Sequence, residues 1–225
     1  MESQLLRESL DMKRAFTLAE VLVTLGIIGV VSAMTVPTLM QNYQKKSYVT
    51  QLHKVYNEMQ QALLQYQTDR NALNLTEAGL TSQDSIGSFV ETYFKIVQKC
   101  DNINPCFYDN YKNLNGGGVD IVNAPSYVLQ SGASIRFLYR KEGFKIANIM
   151  VDINGQKGPN IVGRDLFIMA LFGNGILDDV SYVDNAPLTK EQRDEKFTTE
   201  CQGTGTVSGW GCFGKILNDN WEMTY

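Results

Sequence analysis

Residues 16–40, FTLAEVLVTLGIIGVVSAMTVPTLM, limit what this chain can fold into more than any other stretch, because they carry one charge, Glu20. At ~1.5 Å rise per residue, a helix over this run is roughly 37 Å long. That exceeds the ~30 Å hydrocarbon thickness of a bilayer. An aspartate-type charge at the centre of a spanning helix is unfavourable by about 2.5–3.5 kcal/mol, and by less near the interface. Nothing within the run offers a cation at helical spacing. An acid tolerated there marks a functional position by default, and its partner must come from elsewhere.

Three readings fit an apolar N-terminal run: a removable signal peptide, a permanent anchor, or a targeting segment with its own processing. For the first, Lys13 and Arg14 supply a basic region and Val31-Ser32-Ala33 a small-residue cleavage site. Glu20 has no role in that scheme. Helical patterning also continues past Ala33. Val49, Leu52, Tyr56, Met59, Leu63 and Tyr66 recur every three or four residues, an apolar stripe of helical period. The sequence therefore predicts one long rod from Leu18 to about Asp69, lipid-soluble in its first half and amphipathic in its second. Pro37 should bend it, since proline lacks the amide donor and crowds the carbonyl four residues earlier. The stripe is expected to pack on the chain's own domain.

With 225 residues, a net charge of −4 and a pI near 5.1, the chain lacks the basic stripe of nucleic-acid binders, and no nucleic-acid partner is predicted. Its four cysteines stand as Cys100/Cys106 and Cys201/Cys212, spacings that do not match zinc knuckles. Four cysteines allow three disulfide connectivities, and proximity in sequence selects 100–106 with 201–212. Disulfides require an oxidising compartment, hence a globular part outside the cytoplasm.

The stretch Lys13-Arg14-Ala15-Phe16-Thr17-Leu18-Ala19-Glu20-Val21-Leu22 resembles the class III signal of type IV prepilins and type II secretion pseudopilins. That resemblance implies cleavage by a membrane-embedded prepilin peptidase between Ala15 and Phe16, followed by methylation of the new amino group on Phe16. Glu20 then becomes the fifth mature residue and Pro37 the twenty-second, where the family has its acid and its helix-bending proline. The residue before the cut is usually glycine in the family and is alanine here. The resemblance also implies an assembly role for Glu20. The freed ammonium lies four residues away on the same helix face. A neighbouring subunit's ammonium meets the acid equally well when helices stack with an axial stagger. Implied partners are prepilin peptidase, other pilin or pseudopilin subunits and inner-membrane lipid.

Lysine and arginine counts on the two sides of the span tie, so charge does not set its orientation. The resemblance and the cysteines together place the N-terminus in the cytoplasm. The implied organisation is a leader (1–15), a transmembrane and assembly helix (16–40), the amphipathic half of the helix (41–70) and a globular head (71–225).

Within the head, residues 71–87 read as a loop and 88–99 as a short helix capped by Ser88. Residues 102–125 are turn-rich, with Gly116-Gly117-Gly118 a loop. Apolar or β-branched runs at 134–140, 144–152, 166–172 and 175–180, separated by tight-turn signals, predict an antiparallel sheet of about four strands. Short helices are expected near 189–200 and 214–218. The fold class is thus α+β and pilin-like, a long N-terminal helix lying with its second half on a small antiparallel sheet.

The loop from Asp152 to Asp165 opens as Asp-x-Asn-Gly but lacks the later glycine and bidentate glutamate of an EF-hand. Some pseudopilins that this chain resembles bind calcium in a loop of the globular domain, and Asp152, Asn154 and Asp165 would supply oxygens here if the loop folds back. A rigid turn between strands is the preferred reading, and no metal or cofactor is predicted. His53, the single histidine, reads as a surface position on the rod. Adjacent acids Asp178 and Asp179 should point to opposite faces of a strand, which suits them poorly to joint acid–base work. No enzyme is predicted. The alternative to a filament subunit is an exported binding or enzymatic domain that borrows the anchor.

Overall fold

The computed structural model describes residues 16–119, 121–203 and 208–225. The chain divides into two compact units, one ending at Tyr43 and one spanning Gln44–Tyr225. Helix α1, Leu18–Asp69, is the one helix among the described residues of the first unit and continues into the second, passing Pro37 without interruption.

In the second unit α1 buries Val49, Leu52, Val55, Met59, Ala62, Leu63 and Tyr66. The stripe is wider than its most apolar members suggested. Val55 and Ala62 join it, while Tyr56 is only half-buried and sits 5.0 Å, ring to ring, from Trp221. This face packs on an antiparallel meander of six strands among the described residues. The strands are β1 (Ile96–Cys100), β2 (Ser126–Leu129), β3 (Ser134–Glu142), β4 (Lys145–Asp152), β5 (Leu166–Phe172) and β6 (Leu177–Asp178), each paired with its sequence neighbour. The architecture is α+β and pilin-like.

Three expectations need correction. The helix after α1 is α2, Gln83–Tyr93, rather than 88–99. Ser82 caps it: the Ser82 hydroxyl accepts from the Ser85 amide at 3.1 Å, and the Ser85 hydroxyl accepts from the Ser82 amide at 3.0 Å. That reciprocal box satisfies two orphan donors, and burial of Ile86, Phe89 and Val90 fixes the register. The sheet has two strands more than expected. Ile96–Cys100, assigned above to the end of a helix, is an edge strand with Val97, Gln98 and Lys99 exposed, and β2 follows the turn-rich stretch. The last strand is shorter, two residues after the turn at Gly175 (φ +85°).

The sheet is covered on both faces. Phe167, Met169 and Leu171 of β5 face α1, whereas Leu166, Ile168, Ala170 and Phe172 join a second core with Phe107, Tyr111, Trp210 and both cysteine pairs. All seven residues of β5 are buried, the pattern of a strand with no solvent face. Disulfides Cys100–Cys106 and Cys201–Cys212 staple the loops that make this second cover. It is completed by α3 (Lys190–Lys196), capped by Thr189, and a π-helical turn at Phe197–Cys201, while α4 (Cys212–Asn218) places Cys212 in this core and Phe213 and Ile216 in the core on α1.

Candidate functional site

The N-terminal end of α1 is built around one local device. Thr17 stands at the N-cap, its carbonyl accepting the first helical bond from the Val21 amide at 3.2 Å. Glu20, three residues on, turns back: its Oε2 accepts from the Thr17 amide at 2.8 Å and from the Thr17 hydroxyl at 2.9 Å. The Glu20 amide in turn donates to the Thr17 hydroxyl oxygen at 3.2 Å. This is a capping box of the Thr-x-x-Glu kind, and it satisfies amides that the helix start leaves without partners. It also places a carboxylate beside the positive end of the helix dipole. Its sequence signal is the four-residue pattern Thr17-x-x-Glu20 ahead of an apolar run, which supplies the acid with local donors and not a cation.

Downstream of the box the helix is apolar all round. Leu22, Leu25, Ile28, Met34 and Leu39 are all exposed. A helix with no polar face belongs in an apolar surrounding, lipid or other helices. Among the described residues α1 is the one helix long and apolar enough to cross a membrane. Its hydroxyls do not break that character. Thr24 donates to the Glu20 carbonyl at 2.8 Å and Thr35 to the Val31 carbonyl at 2.9 Å, so neither needs water. Phe16 is open to solvent at the very start of the described chain, Pro37 lies within the helix, and Ala15 lies outside the described residues.

The other candidates serve the fold. His53 is half-buried, not a free surface group, and stacks on Trp221 with ring centroids 4.0 Å apart and 13° between planes. Asp152 and Asp165 are fully buried, and protein donors occupy their oxygens. The Tyr111 hydroxyl and the Asn154 amide donate to Asp152, and the Asn160 and Ile161 amides donate to Asp165 at 2.7 Å each. Burial pushes the Asp152 carboxyl up to about 7, against the pull of Tyr111 and Asn154, which favour the ion. Asn154 itself donates to the Gly158 carbonyl.

Asp178 and Asp179 divide their work between two helices. Asp178 takes a two-pronged bond from Arg193 of α3, at 2.8 and 2.6 Å. Asp179 accepts from the Gly211 and Gly214 amides, both at 2.9 Å, and so anchors the start of α4. Burial pushes the Asp179 carboxyl up to about 6. These two buried acids pin α3 and the start of α4 to the end of the sheet at β6.

Comparison with known families bears on the first of these sites. Residues 10–36 match the family model described as the prokaryotic N-terminal methylation motif. No curated protein and no solved structure matches the chain. The matched segment holds the Thr17–Glu20 box and most of the apolar half of α1, and it fits a single-pass, membrane-anchored protein. The N-terminal segment of this chain is a prepilin-type methylation motif, of the kind carried by type IV pilins and pseudopilins.

Proposed function

We propose that the chain is a structural subunit, a pilin or pseudopilin, of a type IV pilus or type II secretion-like filament. Prepilin peptidase cuts between Ala15 and Phe16 and methylates the new amino group of Phe16. The observation that carries this reading is the methylation motif running directly into a helix with no polar face. Such a helix is stable in a bilayer as a monomer and in a bundle of its own kind, so it can exchange one surrounding for the other.

Glu20 gives that exchange a direction. An unpaired carboxylate is unfavourable in an apolar setting, and a neighbouring subunit's ammonium relieves it. Staggered helices in which each acid meets another copy's amine are therefore preferred over isolated ones. Pro37 lets the helix bend between its apolar and amphipathic parts. The span holds the protein in the bacterial inner membrane with residues 44–225 outside the cytoplasm, where both disulfides persist. Function then comes from polymerisation and not from catalysis.

The test is fractionation of sheared or periplasmic filaments from cells with and without the peptidase. The subunit is expected in the filament fraction only where the peptidase is present. Recovery of the chain solely as a membrane monomer in both strains would return the anchored, non-polymerising domain to first place.

A further inference from the structure

The second face of the sheet carries a cleft of about 360 Å³ that assembly does not explain. Its floor is β3 and β4, and its walls include Tyr182 and Trp210. Arg136 of β3 lines it and is only 4% exposed. The guanidinium donates to the Val122 carbonyl, but its Nε–H has no acceptor, and among the described residues no carboxylate pairs with it. Burial alone pushes the group down to about 10, with no anion to offset the effect. A buried guanidinium without a counter-charge is a costly arrangement, and an incoming anion relieves it.

Two further features point the same way. Asn148 of β4 also lines the cleft, and its buried Oδ1 accepts from no donor among the described residues. Arg140 stands at the exposed end of the same lining and shares Glu142 with the buried Lys145, at 3.1 and 2.8 Å. Glu142, and Glu200 held by the lining Ser208 at 2.6 Å, stand against Arg136, Arg140 and Lys145, and neither acid pairs with Arg136. The unmet needs are thus an anion for Arg136 and a hydrogen-bond donor for Asn148, beside the half-exposed ring of Tyr182, which leaves apolar surface for a ligand. A cleft of this size with convergent polar groups suits a small ligand.

We propose that this cleft is a binding site for a small carboxylate that also carries an amide or hydroxyl donor and an apolar group. The carboxylate sits on Arg136, the donor on Asn148, and the apolar part against Tyr182. This site is independent of filament assembly.

The test is calorimetric titration of the full, detergent-solubilised chain with N-acetyl-phenylalanine and with its uncharged amide. The acid is expected to saturate with a Kd below about 1 mM, and the amide to bind at least about tenfold more weakly. Arg136→Gln should lose at least about tenfold for the acid and little for the amide. Should Arg136→Gln fail to fold by circular dichroism, Arg140→Gln is read in its place, where a reduced preference for acid over amide supports the site. No saturable heat with the acid, equal binding of acid and amide, or an unchanged preference in the folded variant would each overturn the proposal.

Discussion

Glu20 and Thr17 close on each other: the carboxylate takes the Thr17 amide and hydroxyl at 2.8 and 2.9 Å, and the Glu20 amide returns a bond to the same hydroxyl. The acid inside the apolar run therefore has a local partner before any other molecule arrives. This separates two roles that the sequence presents as one, capping the helix and carrying a charge.

Glutamine can close the same box without the charge, and alanine can do neither. Glu20→Gln and Glu20→Ala are both expected to be processed normally and to fall severalfold in filament incorporation, because the charge is what seeks a neighbour's amine. Thr17→Ala should weaken the helix start by about 1 kcal/mol and leave incorporation near normal. Quantitative blotting of filament and membrane fractions checks this. Incorporation of Glu20→Gln at the level of the unsubstituted chain would reduce the residue to a cap.

The burial of Asp152 sets a pH dependence. Asp152 is pushed up to about 7 in the folded chain, from an ordinary value near 3.9. Between those values the folded protein holds a proton that the unfolded chain has released. Stability from this group is thus fully present below about pH 4 and lost as pH rises through 7. Asp152→Asn, which cannot ionise, should exceed the unsubstituted chain by on the order of 2 kcal/mol at pH 8 and show no advantage near pH 4. Denaturant unfolding at the two pH values measures the difference. An advantage for asparagine that is equal at both would refute the assignment.

Gly163 is held between backbone and disulfide. Its φ is +83°, a Cβ there would lie 2.8 Å from the Cys212 Sγ, and its carbonyl accepts from the Tyr225 hydroxyl at 2.9 Å. Gly163→Ala should destabilise by about 2 kcal/mol or more, through the strained conformation and the crowded sulfur. Replacing Cys201 and Cys212 together by serine should itself lose about 2–4 kcal/mol, as expected for removal of a disulfide. It should also lessen the penalty at Gly163, because the two positions share the contact. A double-mutant cycle by denaturant unfolding tests the coupling, and strict additivity would argue against it.

How far the sequence could be read depended on whether each cause was local. The stripe from Val49 to Tyr66 is a period, and periods survive in one dimension. The apolar run at Leu166–Phe172 was readable as a strand, and its unbroken character was the available sign of burial on both faces. What lay beyond reach was long-range. Ile96–Cys100 becomes a strand only because β2 arrives after a turn-rich stretch to pair Cys100 with Ser126. Arg136 looks like a surface cation in an alternating strand. It is buried because residues around Val122, Tyr182 and Trp210 close over it from other parts of the chain. The expected cap at Ser88 gave way to Ser82, because the packing of Ile86 and Phe89 starts the helix more than a turn earlier.

Processing at the start of α1 is tested most directly by intact-mass analysis of the protein extracted from membranes. The predicted mass is that of a chain beginning at Phe16, heavier by one methyl group and lighter by the four hydrogens of two disulfides. A mature chain beginning at Met34, or one that keeps residues 1–15 in cells with an active peptidase, would contradict it.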